Sequence, residues 1–239
     1  MALRKFLWFS VLVLAACSSR QDRKSAAQTS QQHNSKFTYR MVIDTSLSEI
    51  DHYPSLRDEL NKKNFTKNGN YYMLVPFSDS AVKIAWGNDT LKKVYDKPLD
   101  FFSAYKLCGV KWENKNYLIL VQSQGSDAWT NFVLPLNNID QPKVIYNGLC
   151  FDTINNLIVS EGLPWNDPLL HDTVLVAKNL KTGQSQFITE KDRSCDAGFR
   201  HSCIDSISIH NKLLYYKWSI PNNIDENKKS VERRIKITI

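Results

Sequence analysis

Four short apolar runs, each introduced by an asparagine, recur along the chain and constrain its fold more than any other feature. Successive runs start 46, 40 and 55 residues apart, at Asn70, Asn116, Asn156 and Asn211. The runs are rich in Val, Ile, Leu and Tyr, and Asn, Asp, Gly and Pro bound them, which is typical of strands between turns. Helical periodicity is scarce, and only residues 53–62, with Pro54 near the start, predict a helix. The chain is therefore expected to be all-β.

Further strand-like runs surround the four Asn-led runs in a regular order. A second strand is predicted after each, at 81–86, 131–136, 173–178 and 233–239. A third is predicted after most of these, at 91–95, 143–146 and 186–189. Cysteine-bearing strands are predicted ahead of three of the Asn-led runs, at 106–112, 149–154 and 202–209. A unit of four strands every 40–55 residues is the pattern of β-propeller blades.

Residues 172–190, DTVLVAKNLKTGQSQFITE, are the clearest single unit, with a tight turn at Thr182-Gly183 between two strands. This hairpin resembles the repeats of TolB-like and other β-propellers. The resemblance implies a small propeller-like domain of about four blades. Residues 37–43, FTYRMVI, are then expected to supply the strand that the last unit lacks and to close the ring. A β-sandwich or an irregular β-meander is the alternative, because hairpins also recur at regular spacing.

The first 36 residues predict export and membrane attachment. Arg4 and Lys5 precede an apolar run over 6–16, which is too short to span a bilayer and is typical of a secretory signal peptide. Leu14-Ala15-Ala16-Cys17 resembles the lipobox of bacterial lipoproteins, which implies cleavage after residue 16 and acylation of Cys17. Residues 17–36 lack large apolar side chains after the cysteine and predict a disordered tether ahead of a domain at 37–239. Ser18 and Ser19, and not an aspartate, directly follow Cys17, which implies the outer membrane if the cell has one.

Most of the chain's excess positive charge lies outside the predicted domain. The signal peptide holds two of the 31 basic residues, and the tether holds four with one of the 24 acidic residues. The domain therefore keeps 25 basic and 23 acidic residues, a net charge of +2. A domain built to bind nucleic acid is not expected.

The four cysteines of the predicted domain suggest two disulfides in an oxidising compartment. Cys195 and Cys203 are the most natural pair, since seven residues separate them, and Cys108 with Cys150 follows by elimination. Four cysteines permit three pairings, and buried free thiols are the alternative. The spacing of Cys and His does not predict a zinc site, and no cofactor is expected.

No catalytic motif stands out, so we expect a binding protein and not an enzyme. Trp129 and Trp165 are predicted in loops, where they are candidates for partner contacts or, alternatively, plugs over a small core. The expected function is that of an envelope lipoprotein, anchored through Cys17, whose domain binds a protein or glycan. One alternative is an immunity or inhibitor lipoprotein acting on a secreted toxin. The other is a hydrolase with dispersed carboxylates, for which Glu161, Asp167 and Asp172 are candidates.

Overall fold

The computed structural model describes residues 49–125, 127–162, 173–190, 200–220 and 229–239. Within these ranges the chain forms four antiparallel β-sheets and two short α-helices. The predicted all-β class is therefore confirmed. Residues 37–43, the predicted closing strand, lie outside the described part. Among the described residues, no helix has the length and apolar character needed to span a membrane.

Sheet 1 follows two short helical segments. A 3₁₀ helix, Ile50–His52, leads into α1, Pro54–Glu59, which is shorter than the helix predicted over 53–62. The strands of sheet 1 are β1 (Asn64–Phe65), β2 (Tyr71–Ser78), β3 (Ala81–Gly87), β4 (Lys92–Val94) and β5 (Leu99–Asp100). They are ordered β1-β2-β3-β4, and β5 pairs with β3. Helix α2, Phe101–Tyr105, follows and is capped by the Asp100 carboxylate, which accepts the Ser103 N–H at 2.6 Å.

Sheets 2, 3 and 4 each contain strands that are consecutive in the chain. Sheet 2 is formed by β6 (Leu107–Glu113), β7 (Tyr117–Gly125), β8 (Ala128–Pro135) and β9 (Lys143–Tyr146). Sheet 3 is formed by β10 (Gly148–Asp152), β11 (Leu157–Glu161), β12 (Thr173–Asn179) and β13 (Ser185–Thr189). A 3₁₀ helix, Arg200–Cys203, precedes sheet 4, whose described strands are β14 (Ile204–His210), β15 (Leu213–Ile220) and β16 (Lys229–Lys236). Each neighbouring pair is antiparallel.

The apolar cores lie between sheets that are successive in the chain. In β7, Leu118 and Leu120 belong to the cluster that contains sheet 1 residues, whereas Tyr117 and Ile119 belong to the cluster shared with sheet 3. Alternate residues of β11 divide in the same way between the clusters shared with sheets 2 and 4. Because both faces of these strands are buried, their sequences are nearly continuous apolar runs. This is the reason that the Asn-led runs were visible in the sequence.

Asparagine side chains close the turn after the third strand of each of the first three sheets. The Oδ1 atom of Asn88 accepts the backbone N–H groups of Thr90 and Leu91, at 3.0 Å each. Asn137 and Asn179 make the same pair of bonds to the residues two and three positions ahead of them. Such side-chain bonds imitate a backbone turn and favour Asn at this place. The three turns therefore repeat in geometry although they differ in sequence.

A polar side chain on the fourth strand of each of these sheets bonds to the backbone of the next sheet. Lys93 donates to the carbonyl oxygens of Asn137 and Asp140, at 2.7 and 3.0 Å. Lys143 donates to the Leu180 carbonyl, and Gln186 donates to the Lys236 carbonyl at 3.2 Å. Each acceptor lies at or just after the end of the third strand of the following sheet. These bonds join the sheets in series at their outer ends.

Candidate binding surface

Trp129 lies near the start of β8, paired with Ser123, and not in a loop as predicted. The side chain is half-buried, and its indole N–H donates to the Gly148 carbonyl at 2.9 Å. The Trp129 backbone N–H donates to the Asn147 side chain at 3.0 Å. These bonds tie sheet 2 to the first residues of sheet 3, which favours the alternative in which Trp129 packs. Trp165 lies outside the described residues.

Lys111 packs its ammonium group between the same two sheets. The Nζ atom lies 4.4 Å from the ring centroid of Trp112 and 4.7 Å from that of Trp129, and it donates to the Gly148 carbonyl at 2.8 Å. Burial lowers the pKa of Lys111 to about 8, although the nearby Cys150 acts in the opposite direction. Aromatic ring faces stabilise a cation, so the two indoles offset part of this desolvation. The arrangement joins sheets 2 and 3.

The buried carboxylates that the structure describes are engaged in structural hydrogen bonds. Glu161, one of the hydrolase candidates, accepts the Asn147 amide at 2.7 Å, while Asp167 and Asp172 lie outside the described residues. Glu190 accepts two N–H bonds from Arg233, at 2.9 and 3.0 Å, and so links sheets 3 and 4. No group of three or more His, Cys, Asp or Glu side chains with metal-binding geometry occurs in the described ranges.

The predicted Cys108–Cys150 disulfide is wrong, because both cysteines are free. Cys108 is exposed on β6, where its thiol bonds to the Lys106 carbonyl at 3.4 Å. Cys150 is buried on β10 in the core between sheets 3 and 4, and burial raises its pKa to about 12. Elimination fails here because the two strands place their thiols in different environments. Cys203 is disulfide-bonded, and since Cys17 and Cys195 lie outside the described residues, its pairing with Cys195 stays a prediction.

The face of sheet 4 that points away from sheet 3 presents the clearest candidate surface. Two rows of side chains cross it, Ser208–Tyr215–Arg234 and Ser206–Lys217–Glu232, as the register of β14, β15 and β16 requires. All six are exposed or half-exposed. The Arg234 guanidinium carbon lies 4.9 Å from the Tyr215 ring centroid. The small serines on β14 leave a depression of about 530 Å³ beside the longer side chains.

The chemistry of this depression suits a ligand with many hydroxyl or amide groups. Its walls offer serine hydroxyls, a lysine ammonium, a guanidinium, a carboxylate and the flat ring of Tyr215. An aromatic ring beside hydrogen-bonding groups is a common arrangement for both sugars and protein side chains. The sequence analysis did not single out these residues. Their alternation with Ile207, Tyr216 and Arg233 was readable, but such alternation occurs on any half-buried strand.

Comparisons with known proteins assign neither a family nor an activity. No protein-family model matches the chain, and no curated protein matches it in sequence. Among solved structures, the chain is similar to the crystal structure of an uncharacterized protein of Listeria monocytogenes EGD-e, with 10% sequence identity and a TM-score of 0.32. The match covers 74% of this chain and 56% of that one. A likeness at this level carries no argument about fold or function.

Proposed function

We propose that the chain is a lipid-anchored lipoprotein of the bacterial cell envelope whose β-domain binds a protein or glycan without catalysis. The observation that carries the binding role is the depression on the outer face of sheet 4, where Tyr215, Lys217, Glu232 and Arg234 surround small serines. The lipobox at 14–17 supports the anchor, and Ser18 and Ser19 in place of an aspartate directly after Cys17 favour the outer membrane. The polar tether at 18–36 then holds the domain away from the lipid surface.

The four sheets are proposed to be the blades of a small propeller-like domain that pack in series, with the outer face of sheet 4 left open as the binding surface. Sheets 2 and 3 each contain four strands in chain order, whereas the described part of sheet 4 contains three. β16 extends over eight residues and pairs only with β15 in that part. Residues 37–43 alternate Phe, Tyr, Met and Ile with Thr, Arg and Val, which fits a fourth strand beside β16. An unpaired edge of this length would otherwise favour aggregation.

A truncation pair tests this closing strand. A domain that starts at residue 37 is expected to be more stable in urea than one that starts at residue 44, because only the first retains the strand. A domain that starts at residue 29 serves as the control for shortening the tether. Equal stability of all three proteins would remove residues 37–43 from the fold.

The anchor is tested with Cys17→Ser. The wild-type protein is expected in the membrane fraction and the variant in the soluble fraction, since two or more acyl chains are needed for stable attachment. Wild-type membranes are also washed with about 1 M salt, which disrupts electrostatic attachment of the basic tether. The lipid-anchored protein should stay in the pellet after this wash. A variant that stays in the pellet under the same wash would show that Cys17 does not anchor the chain.

The binding role is tested with the domain 37–239 and its Tyr215→Ala and Arg234→Ala variants. Binding to a glycan array identifies a sugar ligand, and photo-crosslinking from position 217 in intact envelopes identifies a protein ligand. Both variants are expected to weaken binding about tenfold or more, as is typical of aromatic and arginine residues at the centre of an interface. Lys92→Ala, an exposed change on β4, is the matched control. Binding that survives both sheet 4 variants would place the site elsewhere.

A further inference from the structure

A groove runs along the outer edge of β9, between sheets 2 and 3. Its volume is about 230 Å³, and Val144, Tyr146, Val176, Lys178 and Phe187 are among the residues that line it. Val144 and Tyr146 belong to β9, the last strand of sheet 2. The other three lie on β12 and β13 of sheet 3. One wall is therefore a strand edge, and the other is the face of a neighbouring sheet.

The backbone of β9 offers hydrogen-bonding groups to this groove. The Asn147 N–H donates to the Trp129 carbonyl at 2.9 Å. This bond lies two residues along the ladder from Ile145, which is paired with Asn131 of β8. Hydrogen-bonded and non-bonded positions alternate in an antiparallel ladder, so Ile145 and Asn147 bond to β8. The N–H and C=O groups of Val144 and Tyr146 consequently point away from β8, toward the open edge.

The side chains around this edge are unusually apolar for a surface. Val144 is 36% exposed, Phe187 is 51% exposed and Tyr146 is 55% exposed. Sheet edges that bind an additional strand combine apolar side chains with unpaired backbone groups. The backbone groups form hydrogen bonds with the added strand, and alternate side chains of that strand fill pockets beside the edge.

The charged side chains of the groove restrict what that strand can be. Glu161 also lines the groove, but it is buried and accepts the Asn147 amide at 2.7 Å, so Lys178 is the charged group left to pair with a bound segment. Lys178 forms no ion pair within the described residues. Lys143 lies near enough to be affected: burial is the main cause that lowers its pKa, and repulsion from Lys178 adds to it, while Asp140 opposes both. An acidic residue on a bound segment would satisfy Lys178, whereas a basic one would add to the repulsion.

We infer that the β9 groove docks an extended peptide segment of a partner protein, with an apolar centre flanked by acidic residues, as a fifth strand of sheet 2. Apolar residues of the segment contact Phe187 and Val176 on one side and Tyr146 on the other. Its acidic residues face Lys178. This site is separate from the depression on sheet 4, so either can fail without the other.

The test uses the domain 37–239 and the fluorescein-labelled peptide Glu-Val-Tyr-Val-Glu, with Lys-Val-Tyr-Val-Lys as the charge control, in a fluorescence anisotropy titration. Val144→Pro removes one outward-pointing N–H without removing a bond to β8. Val94→Pro is the matched control: the Tyr95 N–H donates to the Ile84 carbonyl, which places Val94 at the equivalent outward position on β4, the edge strand of sheet 1. Circular dichroism checks that each variant is folded.

Val144→Pro is expected to weaken binding of the acidic peptide about five- to tenfold, the effect of one lost hydrogen bond, whereas Val94→Pro leaves it unchanged. Lys178→Glu is expected to reverse the preference between the two peptides. If Val144→Pro does not fold, Phe187→Ala carries the test, with Ile154→Ala at another exposed apolar position as its control.

Three results would overturn the proposal. One is equal binding by the two proline variants, and another is absence of binding to the acidic peptide up to about 1 mM. The third is a wild-type dimer in sedimentation that Val144→Pro converts to a monomer, because the occupant of the groove would then be a second copy of the chain. Tyr215→Ala should leave peptide binding unchanged whether or not the sheet 4 surface is functional.

Discussion

Two fully buried tryptophans differ in a single polar contact, which makes the same substitution informative at both. Trp86 on β3 is 0% exposed, and its indole N–H donates to the Pro135 carbonyl at 3.0 Å. Trp218 on β15 is 1% exposed, and its indole N–H has no hydrogen-bond acceptor in the part of the chain that the structure describes. Trp→Phe removes a similar aromatic volume at each position. The difference between the variants therefore reports the indole N–H.

The expected difference in the free energy of unfolding follows from the cost of unpaired polar groups. Trp86→Phe loses a hydrogen bond and leaves the buried Pro135 carbonyl unpaired, which costs about 1–3 kcal/mol beyond the lost packing. Trp218→Phe removes an unpaired buried donor and recovers about 1–3 kcal/mol of desolvation. Trp86→Phe should therefore be less stable than Trp218→Phe by about 2–6 kcal/mol.

Urea unfolding of the domain 37–239, followed by far-ultraviolet circular dichroism, measures this difference without relying on tryptophan fluorescence. With a slope of about 2 kcal/mol/M, the midpoints of the two variants should lie about 1–3 M apart. Equal midpoints would refute the assignment of an unpaired N–H to Trp218. A lower midpoint for Trp218→Phe would show that its indole has a polar partner.

Other perturbations test the turn after β3, the link between sheets 3 and 4, and a buried phenol. Gly87→Ala should cost about 2–3 kcal/mol in urea unfolding, because its Cβ would lie 1.9 Å from the Leu91 carbonyl oxygen. Glu190→Gln should lower the free energy of unfolding by about 1–2 kcal/mol, because it weakens the two hydrogen bonds from Arg233. If the effects of Glu190→Gln and Arg233→Gln were fully additive in a double-mutant cycle, the pair would contribute nothing to stability. Burial raises the pKa of Tyr117 to about 12, so the folded state retains a proton that the unfolded state loses, and stability should fall as the pH rises above about 10. Tyr117→Phe should reduce that fall in urea titrations between about pH 9 and 11, and an unchanged slope would contradict the pKa shift.

The strands could be predicted where burial on both faces produced continuous apolar runs, and the structure confirms β9 over the predicted residues 143–146. Helix α2 was missed because FFSAY is too short to show helical periodicity, and its start depends on one hydrogen bond from Ser103 to Asp100. β1 and β5 were missed because two residues carry no period.

The candidate binding surfaces were less predictable than the strands. Trp129 was placed in a loop because Gly125 and Asp127 read as a turn, yet the hairpin is tight enough for β8 to begin at Ala128. The Cys108–Cys150 prediction failed because local sequence does not say which thiol faces a core. The sheet 4 surface and the β9 groove depend on which strand faces have a neighbour, and that is a property of the sheet order.

The hydrogen bonds from the fourth strand of one sheet to the backbone of the next sheet determine how freely the sequence can vary. Lys93, Lys143 and Gln186 all donate to main-chain carbonyls of the following sheet, and a main-chain carbonyl is present whatever residue occupies the acceptor position. Any long donor on the fourth strand can therefore satisfy the contact, and the acceptor turn is free to change its side chains. Successive sheets can therefore keep the same junction with almost no sequence in common. This accounts for a repeat that is regular in geometry but weak in sequence.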